Sequence, residues 1–329
     1  MSAVAAIDNA TLDAKTLRRV AGMFAGFAPW RGEVPAGQVR NFLGALLPPG
    51  VGIDPAAPAR FQEAGLPTLR WGEGFFEFYS ALQSVRAARE RYTAVSLGAH
   101  YGGPLVNAAL FARRLRPELA LKLIAIEGDP HMCAMIRAHF SDNGFDPADH
   151  SIVNAVVSGD NKPVLFTTSP IRTGANVAFH SAIHRKTILD GIIKNKFEAR
   201  VATGLVLAGT TTLTTPLDGT EVVGEIEFMS AVTVADAIGP HDVVDFLEID
   251  IQSSEYVALP PAIALLDRKV RWVHLGTHGG DLHVMMRHLF RDHGWEVHAD
   301  LLPERDYDTP DGPTRTQDGV LSLRNPRLG

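Results

Sequence analysis

One cysteine in 329 residues, Cys133, excludes an intramolecular disulfide and any thiolate metal cluster. It stands on an apolar helical face, where a packed thiol is expected, and such sparing cysteine use suits a reducing cytosol. Long basic runs are also missing. No run of lysine or arginine exceeds two residues, as in Arg113-Arg114, and the net charge is −6, so a nucleic-acid partner is unsupported. No apolar stretch approaches the roughly 18 residues of a membrane span, and the first residues carry Asp8 and Asp13 in place of a basic-then-apolar leader. A cytoplasmic, unprocessed chain is expected, with no membrane partner. Internal repeats and low-complexity tracts are lacking too, and nothing in the sequence fixes an oligomeric state, so a homo-oligomer stays open.

What is present is ordinary globular composition, 46% hydrophobic and 21% charged, enough for a sizeable core. Residues 1–72 read as an N-terminal helical appendage, with helical spacing at Leu17 to Phe27 and Val39 to Leu47 between proline-rich loops. From Gly74, residues Phe75, Phe78, Tyr79, Leu82 and Val85 form one buried helical stripe. A regular alternation follows: strand 93–97, helix 104–115, strand 121–126, helix 131–140, strand 151–157. It resumes with strand 243–249, helix 255–266, strand 270–275, helix 281–293, and strands 295–301 and 319–323. Such alternation predicts a mostly parallel sheet with helices on both faces over residues 73–329. Between the halves, an insertion at about 159–239 reads as small β-rich structure, with strand candidates near 163–167, 199–207, 210–214 and 221–229 and a helix-like stretch at 183–197. It could be a lid, or an elaboration that only covers the sheet.

The most telling stretch is Ser96-Leu97-Gly98-Ala99-His100-Tyr101-Gly102-Gly103. It has the order strand, glycine turn, helix, in which missing Cβ atoms and helix-start N–H groups let a ligand lie close to the chain. Twenty-nine residues past Gly98 the next strand ends at Glu127, where an acid can take both hydroxyls of a ribose or can cap the following helix. Asp129 is also available for that cap. Asp250 ends the fourth strand and could orient an amine or an acceptor hydroxyl, or cap the helix near Ser253. His278 follows the fifth strand at the same edge, where an imidazole is suited to taking a proton; catalysis and structure are equally open to it. His274 lies within the strand and reads as a core histidine. His180 and His184 share a helical spacing, but Ser181 stands where a zinc helix would need glutamate, so no metal site is expected.

Ser96 to Gly102, Ile126-Glu127-Gly128-Asp129-Pro130, Asp245 to Asp250, the His274 to His278 turn, and Gln317-Asp318-Gly319-Val320 with Asn325-Pro326-Arg327 together resemble the FkbM family of S-adenosylmethionine-dependent methyltransferases, over about residues 75 to 329. The resemblance implies a Rossmann-like class I methyltransferase fold: an α/β seven-stranded sheet in the order 3-2-1-4-5-7-6, with the last strand antiparallel. It implies S-adenosyl-L-methionine bound by Ser96, Gly98, Ala99, His100, Gly102, Glu127, Gly128 and Asp250. Methyl transfer would go to a hydroxyl of a small metabolite, polyketide or sugar unit, with His278 and Asp250 at the chemistry. Four features depart from the family pattern: Ser96 where an acid is usual, His100 where glycine is usual, Glu248 where lysine is common, and the lack of a glycine near Ser253 or Ser254. Ser96 and His100, with the proline-rich appendage that could dock a partner chain, motivate an alternative, a degenerate methyltransferase fold that serves as a non-catalytic binding or assembly module.

Overall fold

Seven strands make the centre of the molecule, the inner ones buried on both faces and the two edge strands partly exposed. In the computed structural model the described residues are 10–168, 178–179, 211–213 and 224–329. The strands are β1 (Arg91–Leu97), β2 (Ala120–Glu127), β3 (Ser151–Asn154), β4 (Val244–Ile249), β5 (Val270–Thr277), β6 (Glu296–Leu301) and β7 (Gly319–Arg324). They lie in the order β6-β7-β5-β4-β1-β2-β3, with β7 antiparallel to both neighbours and the other pairs parallel. Read from β3, that is 3-2-1-4-5-7-6. The fold is therefore the Rossmann-like class I methyltransferase fold that the resemblance implies.

Period-two alternation sends the side chains to two apolar layers. Ala94, Phe246 and Trp272 join the layer under helices α1 (Glu73–Ala87), α2 (Gly103–Leu115) and α3 (Pro130–Asp142). Val95, Leu97, Leu247, Ile249, Val273 and Leu275 join the other, under α4 (Gly280–Asp292) and residues 255–269. At the amino edge of the sheet, buried Asp245 accepts the Thr93 N–H and pairs with Arg271 at 2.7 Å, which ties β4 to both neighbours.

Four local expectations fail. Val39 to Leu47 is a turn segment, because the Asn41 carboxamide accepts the N–H groups of Leu43 and Ala45 and Gly44 takes φ +84°; side-chain bonding replaces the helix. The appendage holds one short helix, Ala14–Val20, and an antiparallel pair, Trp30–Val34 with Arg60–Ala64. Its Val20, Phe24, Phe27 and Phe42 share an apolar cluster with Phe75 and Phe111. The helix at 255–266 is cut by Pro260 and Pro261, which supply no N–H, into Glu255–Ala258, a tight turn at Pro260–Ala262, and Ile263–Lys269. The strand at 151–157 divides as well: Val156–Ser158 leaves the sheet to pair with Ala231–Thr233.

In the insertion, Val164–Thr168, Thr211–Leu213 and Gly224–Met229 are antiparallel strands, joined by Ala178–Phe179. The expected helix at 183–197, the run at 199–207, and His180, Ser181 and His184 lie outside the described residues.

Candidate active site

The carboxyl edge of the sheet is built by the loops after β1, β2 and β4. Gly98 takes φ +79°, and a Cβ there would drive into the Asp250 carbonyl oxygen, so the β1 and β4 loops touch only because residue 98 has no side chain. His100 also has positive φ, at 48°, a conformation that costs a non-glycine residue about 1–2 kcal/mol. Gly102, at φ +80°, precedes α2. What holds His100 in place is Glu127: its Oε2 accepts the His100 N–H at 2.7 Å and its Oε1 accepts the Asp129 N–H at 2.7 Å. Asp129 caps α3 through the His131 N–H, so the cap falls to it and not to Glu127. Burial pushes the Glu127 carboxyl up to about 7, against the pull of those two N–H groups.

A cavity of about 120 Å³ opens beside this carboxylate, lined by Gly98, His100, Ile126, Glu127, Gly128, Phe166, Asp250 and Gln252 among others. Five of the residues expected to hold a cofactor, Gly98, His100, Glu127, Gly128 and Asp250, are thus brought together. Three are not at its wall. Ser96 is fully buried and donates its hydroxyl to Glu248. Ala99 is buried and gives its N–H to Ile126, while Gly102 packs against Ile136 and Phe140. Asp250 takes the Gln252 carboxamide at 2.9 Å and caps no helix.

The Ser96 bond belongs to a polar row across the sheet. Ser96, Glu248, His274 and Ser322 are in register on β1, β4, β5 and β7, and Ser322 meets Ser80 of α1 at 2.5 Å. Burial lifts Glu248 well above the ordinary range and depresses His274 to about 4, so His274 is neutral near pH 7. His274 is thus a buried sheet residue, as its place in the strand predicts.

His278 follows β5 with Nε2 at 3.3 Å from Asp250 Oδ1 and 3.6 Å from Asp318 Oδ1. Its burial opposes the charged form, but Asp250, Glu255, Asp318 and Glu73 around it raise its pKa overall.

Sequence reasoning missed several of these neighbours. Phe166 lies in a strand that the sequence does indicate, but no local signal places its ring against Gly128, where a Cβ would stand 2.6 Å away. Glu73, Glu255 and Asp318 surround His278 from three separate segments. The pairing of strands, not their spacing, brings them there. Among the described residues, no three His, Cys, Asp or Glu side chains could hold a metal ion, and no helix is long and apolar enough to cross a membrane.

No protein-family model matches the chain. It is 25% identical over 293 residues to a protein of Jannaschia sp. (strain CCS1) named "Putative methyltransferase", covering 89% of this chain and 94% of the relative. Among solved structures, methyltransferase FkbM from Methylobacillus flagellatus KT aligns with TM-score 0.38 and 12% identity, over 71% of this chain and 43% of that one. Precorrin-6Y C5,15-methyltransferase from Geobacter metallireducens GS-15 aligns with TM-score 0.36 and 11% identity, over 75% and 86%.

Proposed function

We propose that this chain is an S-adenosylmethionine-dependent methyltransferase of FkbM type, which methylates a hydroxyl of a small metabolite, polyketide or sugar unit. One observation carries the reading: the Glu127 carboxylate stands at the cavity wall with each oxygen engaged by one backbone N–H. A carboxylate offers about four acceptor positions, so two remain for a pair of neighbouring ribose hydroxyls. Ile126, Gly128 and Phe166 line the same cavity and offer apolar contact to a flat nucleoside. The Jannaschia relative, similar over nearly the whole chain, supports the same activity.

When bound, S-adenosylmethionine supplies a methyl group on a sulfonium sulfur. The chain's own work is then alignment and proton removal. Neutral His278 takes the acceptor's hydroxyl proton on Nε2, and Asp250 and Asp318, at 3.3 and 3.6 Å, stabilise the imidazolium that results. Asp250 also borders the cavity, so it links the two halves of the site.

Calorimetry with S-adenosylmethionine and S-adenosylhomocysteine tests the reading. Micromolar binding of either, lost in Glu127→Ala, is the expected result. Absence of binding at millimolar ligand overturns it and favours the non-catalytic module, for which the buried Ser96 and the strained His100 are the motivating departures.

A further inference from the structure

We propose that the acceptor carries a protonated amine, seated among Glu73, Glu77, Asp250 and Asp318. This rests on the methyl-transfer reading and names its acceptor class. Glu73 and Glu77 come from the first turns of α1, Asp250 follows β4, and Asp318 precedes β7. Glu73 and Asp250 converge across Gly276, whose absent Cβ would lie 3.6 Å from Glu73 Oε1 and 3.7 Å from Asp250 Cγ. Glu255 closes the cluster behind His278.

Among the described residues, none of these five carboxylates pairs with lysine or arginine; His278 is the one basic group that Asp250 and Asp318 meet, while Asp250 accepts the Gln252 carboxamide and Glu77 that of Asn107. Two acids elsewhere do have cations: Asp300 has Arg287 and Arg291, and Asp245 has Arg271. A second observation concerns hydrogen bonding and not charge. Glu255 is 0% exposed and one oxygen takes the Ile251 N–H at 3.1 Å, while among the described residues the other oxygen has no hydrogen-bond partner and neither do the two ring nitrogens of neighbouring His278. Buried polar atoms are rarely left so without a reason.

One imidazolium cannot balance five carboxylates. Without a further cation the cluster retains protons, with burial and mutual repulsion holding Glu73 up at about 8, and burial above all holding Glu77 and Glu255 at about 7. The described carboxylates do not close round a metal ion. An ammonium, with three donors and looser geometry, suits a spread set of acceptors. A carboxylate or phosphate on the acceptor would be repelled.

The same ammonium chemistry could come from the amino-acid end of S-adenosylmethionine, so the test separates the sources. Glucosamine, glucose and glucuronate form a charge series for ligand-observed NMR, measured with the full chain free and saturated with S-adenosylhomocysteine. Glucosamine should bind at least tenfold tighter than either other sugar in both forms. Glu73→Gln and Glu77→Gln should erase that preference and leave S-adenosylhomocysteine affinity within about twofold. Equal binding of the three sugars, or a preference that survives both substitutions, overturns the proposal. So does competition between glucosamine and S-adenosylhomocysteine, which assigns the acids to the cofactor, or preferential filling by Mg²⁺. If the nucleoside does not bind at all, the methyl-transfer reading falls alone, and the sugar series on the free chain still decides the amine seat.

Discussion

The Glu127 carboxylate holds the backbone N–H of His100 at 2.7 Å, and through this bond the end of β2 fixes the loop after β1. A binding residue and a loop clamp are therefore one side chain. Glu127→Ala is expected to cost about 1–3 kcal/mol of stability as well as nucleoside affinity, since it strips acceptors from two N–H groups at once. Urea unfolding beside calorimetry separates the two effects; Glu127→Gln, which can still accept one of them, should lose less stability than affinity.

Gly98→Ala meets two penalties together, a left-handed backbone and a collision with the Asp250 carbonyl. A loss of about 3 kcal/mol or more is expected, read as a lower urea midpoint or as failure to accumulate soluble protein. A variant as stable as the parent would contradict the close approach of the β1 and β4 loops.

Ser96→Ala removes the hydroxyl that Glu248 accepts at a position with no access to water. The expected cost is about 1–3 kcal/mol, with little change in nucleoside binding because Ser96 does not line the cavity. Ser96→Glu would set a second buried carboxyl against Glu248 and should unfold the chain before it improves any ligand contact. A tenfold affinity loss in Ser96→Ala would place the hydroxyl at the ligand after all.

His100→Gly should raise stability by up to about 1 kcal/mol, since glycine adopts the left-handed loop conformation freely and keeps the N–H that Glu127 accepts. Thermal melting of the pair checks this. A fall in melting temperature would mean that the imidazole contributes more by packing than its backbone costs.

The pH dependence follows from proton counts. Glu73 is lifted to about 8, and Glu77, Glu127 and Glu255 to about 7, so the folded chain keeps protons that the unfolded chain has already released above its ordinary value of 4.5. Their stabilisation is complete below that value and is lost as pH rises through 7 to 8. Histidines such as His274 and His298, lowered to about 4, act in the opposite sense, but that effect is spent above pH 6.5. Melting temperature should therefore fall between pH 6.5 and 8.5, and less steeply in Glu73→Gln. Over the same range activity should rise, because the acids around His278 raise its pKa and it must be neutral to accept a proton. An activity profile already flat by pH 6 would remove His278 as the base.

The sequence by itself determined the strand and helix alternation, the glycine turn and the acid ending β2, because periodicity and the demand for residues without side chains are local properties. It also carried the order of motifs whose resemblance to a known family implies a 3-2-1-4-5-7-6 sheet. Where side chains bond across strands, local patterns are silent. Ser96 reads as a cofactor contact near the end of its strand until β1 and β4 pair and turn its hydroxyl inward onto Glu248. Val39 to Leu47 has helical spacing, yet Asn41 bonds its own backbone and prevents the helix. The cluster around His278 is the clearest case, since its acids come from residues 73 to 318 and meet only at the carboxyl edge of the finished sheet. Charge neighbours in a buried site are set by which strands lie side by side, and that is a property of the tertiary fold alone.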